Sequence, residues 1–465
     1  MNLYSALLSF IPVAVLIVAL TFFKLPAWRA ALAALCTGAV EAMLWRGLGA
    51  GEIASCLLQG TRTGLYPIGL VIVAALFTYG ITVESKAIDE IKHGLSSLSS
   101  DKCFLALLIA WGFGNFMEGM AGFGTAVAIP CALLAGIGFD PMKAVLCCLV
   151  ANTTPTAFGS VGVPTMVLAG ETGTELAHLT ATIAYLELAP TALSPFLILA
   201  ITDGWKGLKS HWKLALLADL AFILPWLGVA STLSCELPNI IGGICAMVAL
   251  GFAGNKKGLD LHRQLWAWLP FAFVVAFLAL NAVAPVGHKP SPGIVILLAA
   301  FAGGLCQKLG PARLASLFLA TLRRYALAIT TICAVLSLAK IMGAAGMTNL
   351  LAQVLVEATG DFYSAVSPAI GALGGFVTGS GTSSNVLFGS LQASAAGNEA
   401  ERLLFAAANV MGAGIGKMIC PQSIVLGCAA AGLAGRENAV MAKVAKFFVL
   451  VLAIACATTL LFAFA

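Results

Sequence analysis

The sequence predicts an all-α polytopic membrane protein. Hydrophobic residues make up 60% of the 465 and charged residues only 10%, and apolar runs of membrane-spanning length recur along the chain. A soluble domain averages about 25% charge, so these few charged side chains could not cover a water-soluble chain of this size. A globular soluble enzyme, a disordered protein and a nucleic-acid binder are thereby excluded. The 49 glycines and 18 prolines agree, because both are more frequent in membrane helices than in soluble ones.

A membrane helix needs about 20 apolar residues to cross about 30 Å of hydrocarbon. Twelve spans are expected, near 6–23, 29–45, 64–83, 143–169, 176–202, 213–231, 238–254, 265–284, 293–307, 325–342, 402–434 and 440–464. The start lacks a basic flank and reads as a retained first helix, not a signal peptide. Stretches 103–138 and 362–396 differ, each carrying a glycine-rich polar break near its centre. Two re-entrant helix–turn–helix hairpins account for them, since such a break survives in a membrane only where protein or a watery cavity shields it.

Charge sets the orientation. With both termini outside, the expected internal segments hold 19 of the 25 Lys and Arg, and the external ones hold Arg46, Arg62, Lys289 and Arg402. External loops carry acidic residues such as Glu171, Glu175, Glu236 and Glu357. Basic residues mark the cytoplasmic side. Lys340 and Lys417 remain within spans.

The halves echo each other. Segment 112–125 reads GFGNFMEGMAGFGT and 372–385 reads ALGGFVTGSGTSSN, aligning Phe116 and Gly119 with Phe376 and Gly379. Asn152, Gly159 and Pro164 recur at the same spacing as Asn409, Gly416 and Pro421. Each half therefore has a span, a hairpin with a glycine-rich tip, and a helix interrupted from Asn to Pro. The first hairpin enters from the cytoplasm and the second from outside, an inverted repeat. The expected divisions are N-terminal scaffold helices (1–63), a first repeat core (64–202, with broken helix 143–169), connecting and scaffold helices (203–324), a second repeat core (325–434, with broken helix 402–434) and a C-terminal helix (435–465). Inverted repeats with discontinuous helices are the architecture of secondary transporters, whose site lies where the breaks meet. Any single break could instead serve close helix packing; four in matched pairs point to a site.

Glu118–Gly124 (EGMAGFG), Ala151–Pro155 (ANTTP), Ala157-Phe158-Gly159, Thr378-Gly379-Ser380, Thr382–Asn385 (TSSN), Leu387-Phe388-Gly389, Gly416-Lys417-Met418 and Pro421-Gln422-Ser423 resemble the lactate permease family. Weaker echoes at Pro67-Ile68-Gly69 and Asp203-Gly204-Trp205 extend the likeness over most of the chain. The resemblance implies a proton-coupled importer of L-lactate and related 2-hydroxy monocarboxylates such as glycolate, in the bacterial inner membrane. It also implies the hairpin-containing fold of the wider ion transporter superfamily, an elevator motion, and by analogy a homodimer. The chain departs in being shorter than the family and in carrying Gly381 where an Asp is expected in the second tip.

Lys417 stands out because an intramembrane charge costs at least about 2.5 kcal/mol and marks a pathway. Its three donors suit a carboxylate, making it the expected counter-charge of the substrate; the alternative is an ion pair with an acidic side chain. Glu118, at the first tip, is the expected proton-coupling group, since partial burial favours a neutral carboxyl. A helix-terminus charge or a partner of Lys417 are its alternatives. Asn152, Thr153, Thr154, Ser160, Ser383, Ser384, Asn385, Asn409, Gln422 and Ser423 offer neutral donors and acceptors for a 2-hydroxy acid, or for backbone groups freed at the breaks. Gly119, Gly122, Gly124, Gly159, Gly379, Gly381 and Gly416 shape the tips and breaks. Glu187 and Asp219 are expected to pair with a neighbour or face a cavity.

No cofactor or metal is expected. The 13 cysteines sit in apolar runs without CxxC or Cys/His spacing and read as packing residues, Cys235 alone in an external loop. Gly381-Thr382-Ser383 resembles a hydrolase triplet, but His93, His178, His211, His262 and His288 lie in loops or near span ends, disfavouring an enzyme. Matched broken helices likewise favour a carrier over a channel. The rival carrier reading is a sodium-coupled transporter of another small organic anion, such as a dicarboxylate.

Overall fold

In the computed structural model, which describes residues 3–254, 260–284 and 290–464, the apolar composition is expressed as helices, with no strand among the described residues. Lys256, Lys257, His288 and Lys289 lie outside the described residues. Helices α1 (Leu3–Thr21) and α2 (Ala27–Arg46) pack side by side. Next, α3 (Ala50–Thr63) runs through a π-helical turn at Gly64–Gly69 into α4 (Leu70–Glu84). The kink follows from Pro67, which disfavours helical backbone at the residue before it; Tyr66 is extended at φ −142° and ψ 125°. This rod begins well before the expected span 64–83.

Lys86, left-handed at φ 60°, turns the chain into α5 (Ala87–Ser97), an amphipathic helix burying Ile88, Ile91 and Leu95. One hairpin arm comprises α6 (Lys102–Ala106), a π-helical stretch (Leu107–Phe113) and α7 (Gly114–Met120); the other is α8 (Thr125–Gly136). A break separates α9 (Pro141–Ala151) from α10 (Gly159–Thr172). Helix α11 (Leu176–Leu186) leads into α12 (Leu188–Thr232), which bends at Asp203-Gly204, where Gly204 takes φ 60°. The expected loop 203–213 is therefore helical beyond a two-residue bend. The following turn folds inward: Cys235 is buried, and its carbonyl presses on Gly162.

After α13 (Pro238–Ala253), α14 (Leu261–Val283) and α15 (Pro292–Cys306) comes α16 (Pro311–Ala344), which absorbs most of the expected internal segment 308–324. Gly346 (φ 70°) then starts a second amphipathic helix, α17 (Met347–Thr359). Helices α18 (Tyr363–Thr378) and α19 (Gly381–Ala395) form the second hairpin. The chain ends with α20 (Glu399–Lys417), α21 (Pro421–Ala430) and α22 (Glu437–Ala463).

Among the described residues, seven helices are long and apolar enough to cross a membrane, or eight if bent pair α20–α21 counts as one span. This is fewer than twelve because α1, α9, α11, α13 and α15 are shorter helices and α12 runs through two of the expected spans.

The helices form two packed groups. A scaffold of α1–α5 and α14–α16 flanks a core of α6–α13 and α18–α22, and α17 lies between α1 and α19. Packing of α18 on α20 is the tightest in the core, because glycines on each helix let the two backbones meet. Gly371 and Gly375 lie on the backbone of Asn409 and Ala413, while Gly412 and Gly416 lie on Pro368 and Ala372. Small residues let helix backbones approach closely where lipid offers no hydrophobic drive between helices. Scaffold meets core mainly through α4 with α10 and α16 with α19. Helices α8 and α21 pack on each other and on α9.

Candidate functional site

Both hairpin tips and both helix breaks converge on a central cavity of about 160 Å³. The first tip, Gly122-Phe123-Gly124, is left-handed throughout, at φ 58°, 49° and 85°. Glycine tolerates this backbone without penalty; Phe123 sits between two of them and reaches the cavity wall. The first break turns through Thr154–Thr156 and a left-handed run at Ser160, Val161 and Gly162 (φ 46°, 57° and 75°). In the second half the helix continues past Asn409 to Lys417, and the interruption is limited to Met418–Cys420 before Pro421. The Asn-to-Pro interruption expected there is thus shorter than in the first half, because Gly412 and Gly416 keep α20 helical against α18.

Four helices, α8, α10, α19 and α21, begin at this cavity. Their free N–H ends favour an anion. Lys417 adds a full positive charge from the last turn of α20. Lys417 Nζ donates to Glu118 Oε1 at 2.8 Å, and Asn152 Nδ2 donates to Glu118 Oε2 at 3.0 Å. The pair lies in the cavity wall with Glu118 3% and Lys417 8% exposed. Gly159 makes room for it: a Cβ there would lie 2.9 Å from Glu118 Oε1.

The structure separates the remaining sequence candidates by position. Ser160, Ser383, Gln422 and Ser423 line the cavity, as do Gly124, Gly159, Gly379 and Gly381. Ser160 Oγ also donates to Ala121 O at 3.2 Å, tying the first tip to the first break. Thr153, Thr154, Ser384, Asn385 and Asn409 are not in the cavity wall, and each has a partner elsewhere. Thr153 Oγ1 donates to Val150 O (2.8 Å), Thr154 meets Ser194 Oγ (3.4 Å) and Ser384 Oγ donates to Gly371 O (3.1 Å). Asn385 Nδ2 donates to Pro164 O at 2.9 Å, and Asn409 Nδ2 to Asn385 Oδ1 at 2.9 Å. Gly119, Gly122 and Gly416 pack behind the wall, against Asn239, Ser160 and Ala372 respectively.

Thr378, Ser380 and Thr382, which the sequence marks only as motif residues, also line the cavity, as do Thr156 and scaffold residues Ala27, Ala328 and Thr331. Thr378, Ser380 and Thr382 share the tip motif with Ser383, so their spacing carried the signal. A Cβ on Gly381 would lie 2.5 Å from Thr156 Cγ2, so a side chain there would displace the Thr156 methyl. Glu187 and Asp219 have no cation partner among the described residues and lie outside the cavity wall; Glu187 Oε2 and Asp219 Oδ1 are buried without hydrogen bonds. Away from the site, donor atoms of Asp101, Cys103 and His211 lie within 4.8 Å of one another. Their sequence separation hid that proximity.

Fold and site together define an all-helical integral membrane protein with a charged, anion-favouring cavity between discontinuous helices. The family profile for L-lactate permease matches residues 5–288 and 279–465. An L-lactate permease of Streptococcus iniae is 35% identical over 85% of this chain and 92% of the relative. An L-lactate permease of Escherichia coli (strain K12) is 32% identical, and Glycolate permease GlcA of the same strain 33%, each over 93% of this chain and 91% of the relative. The chain belongs to the L-lactate permease family.

Proposed function

We propose that the protein is a proton-coupled symporter that imports L-lactate and related 2-hydroxy monocarboxylates such as glycolate across the bacterial inner membrane. The observation that carries this is the Lys417–Glu118 pair in the cavity wall. With Glu118 ionised and the site empty, the two charges cancel. When Glu118 takes a proton, its hold on Lys417 is lost and the ammonium is free for a substrate carboxylate. The loaded site, with protonated Glu118, Lys417 and a monocarboxylate, is again neutral. A site holding proton or anion alone carries a net charge, and an uncompensated charge in the membrane costs at least about 2.5 kcal/mol. Proton and anion therefore cross together or not at all.

The hydroxyl of a 2-hydroxy acid needs a donor and an acceptor, which Asn152, Ser383, Gln422 and Ser423 supply in the wall. A monocarboxylate balances one lysine; a dicarboxylate leaves a charge over. In this reading the chain makes twelve spans with both termini outside. The hairpins are re-entrant, the repeats are inverted, and the core moves past the scaffold as an elevator. Amphipathic α5 and α17 support the inverted repeat, since each follows a left-handed residue and precedes a hairpin.

Uptake of labelled lactate, glycolate and succinate into proteoliposomes under imposed proton or sodium gradients tests the proposal. Accumulation of lactate and glycolate driven by an inward proton gradient is expected. Sodium-driven succinate uptake instead establishes the rival carrier.

A further inference from the structure

A second lysine–glutamate pair lies away from the cavity. Lys340 Nζ, near the end of scaffold helix α16, is 2.9 Å from Glu171 Oε1 at the end of core helix α10. The Glu171 side chain is 6% exposed and that of Lys340 30%. Neither residue lines the central cavity. The pair lies on the side where the two groups of helices touch, through α4 with α10 and α16 with α19. In the first half of α16, Leu322, Arg323, Arg324 and Leu327 are exposed. On core helix α21, Val425 is 52% exposed. The basic residues Arg313, Arg323 and Arg324 mark that half of α16 as cytoplasmic by the same charge rule that orients the chain, so the Lys340–Glu171 pair lies toward the outer side.

We propose that this structure is the inward-open state and that Glu171 and Lys340 are positioning residues, a latch that closes the outer side. The inference rests on the alternating-access reading above. The core cannot slide along the scaffold to expose the cavity outward while α10 is tied to Lys340. The pair must therefore break once in each cycle and re-form as the inward-open state is restored. Each side chain also lacks another ion-pair partner among the described residues, so removal of either one releases the tie.

The test places a cysteine at Val425, outside the cavity wall, in the full-length protein in proteoliposomes. Its modification by a membrane-impermeant maleimide from the cytoplasmic face is located residue by residue by fragment-ion mass spectrometry, which separates position 425 from native Cys420 and Cys428 in the same tryptic peptide. Glu171→Gln and Lys340→Gln are each expected to slow this labelling about fivefold by depopulating the inward-open state, a shift typical of one partly exposed ion pair. The double variant is expected to match either single one, because both remove the same interaction. Unchanged labelling in the single variants overturns the latch, and so does an additive double variant. Labelling needs no substrate, so it stands apart from the lactate uptake assay. A wild-type protein that fails to transport lactate contradicts the functional reading without altering these rates.

Discussion

Lys417 and Glu118, 299 residues apart in sequence, meet through a 2.8 Å hydrogen bond between Nζ and Oε1. One comes from the last turn of α20 and the other from the first hairpin arm, so the contact joins the two halves of the chain at the cavity. In the proposed mechanism the consequence is competition: Lys417 serves Glu118 or a bound carboxylate, and protonation of Glu118 decides between them.

Lys417→Ala removes the counter-charge. Lactate binding is expected to weaken by about 100-fold or more, the scale for losing one partner of a buried charge pair, with uptake abolished. Titration calorimetry on the purified variant checks this, and undiminished binding removes Lys417 from the substrate site.

Glu118→Gln separates exchange from net transport. The loaded site of this variant, lysine plus lactate, stays neutral and can cross; the empty site keeps an unpaired lysine and cannot. Lactate counterflow should persist while net uptake stalls. Net uptake with the pH dependence of the wild type refutes the coupling role.

Gly159→Ala tests the geometry around the pair. Its Cβ would stand 2.9 Å from Glu118 Oε1, forcing the carboxylate away from Lys417. A loss of uptake of at least about tenfold is expected, by analogy with the sensitivity of aligned groups to a displacement of about 1 Å. The shorter Glu118→Asp should partly restore it in the double variant, as uptake assays can show.

Asn385→Ala should affect the fold rather than the site. Asn385 holds Pro164 O and receives Asn409, which Gln392 also contacts; Gln392 in turn receives a hydrogen bond from Tyr363. Leaving such buried groups unpaired costs about 1–3 kcal/mol. Thermal unfolding in detergent should fall accordingly, with lactate affinity changed less than about twofold. A large loss of affinity at unchanged stability contradicts this division.

Much of this arrangement was legible because polar and glycine-rich breaks interrupt long apolar runs, and a hydrophobic run cannot hide them. Glu118 and Lys417 stood out for the same reason. Helices α5 and α17 were not recognised, since their charges and short length resemble loops. Yet Ile88, Ile91 and Leu95 recur at helical spacing and bury together. Which polar residues face the cavity was not legible either. Ser383 lines it while neighbouring Ser384 bonds Gly371 O; that depends on how each helix is rotated in the core, which spacing alone does not set. The pairing of Lys340 with Glu171 likewise depends on tertiary placement. Sequence put one in a span and the other in a loop.

In the proposed mechanism, Glu118 takes up a proton as lactate binds to Lys417. Calorimetric titration with lactate near neutral pH, in buffers of differing ionisation enthalpy, measures this directly. Uptake of about one proton per lactate bound is expected, the change needed to keep the site neutral, and it should be lost in Glu118→Gln. Lactate binding without proton uptake, or with the same uptake in the variant, contradicts it.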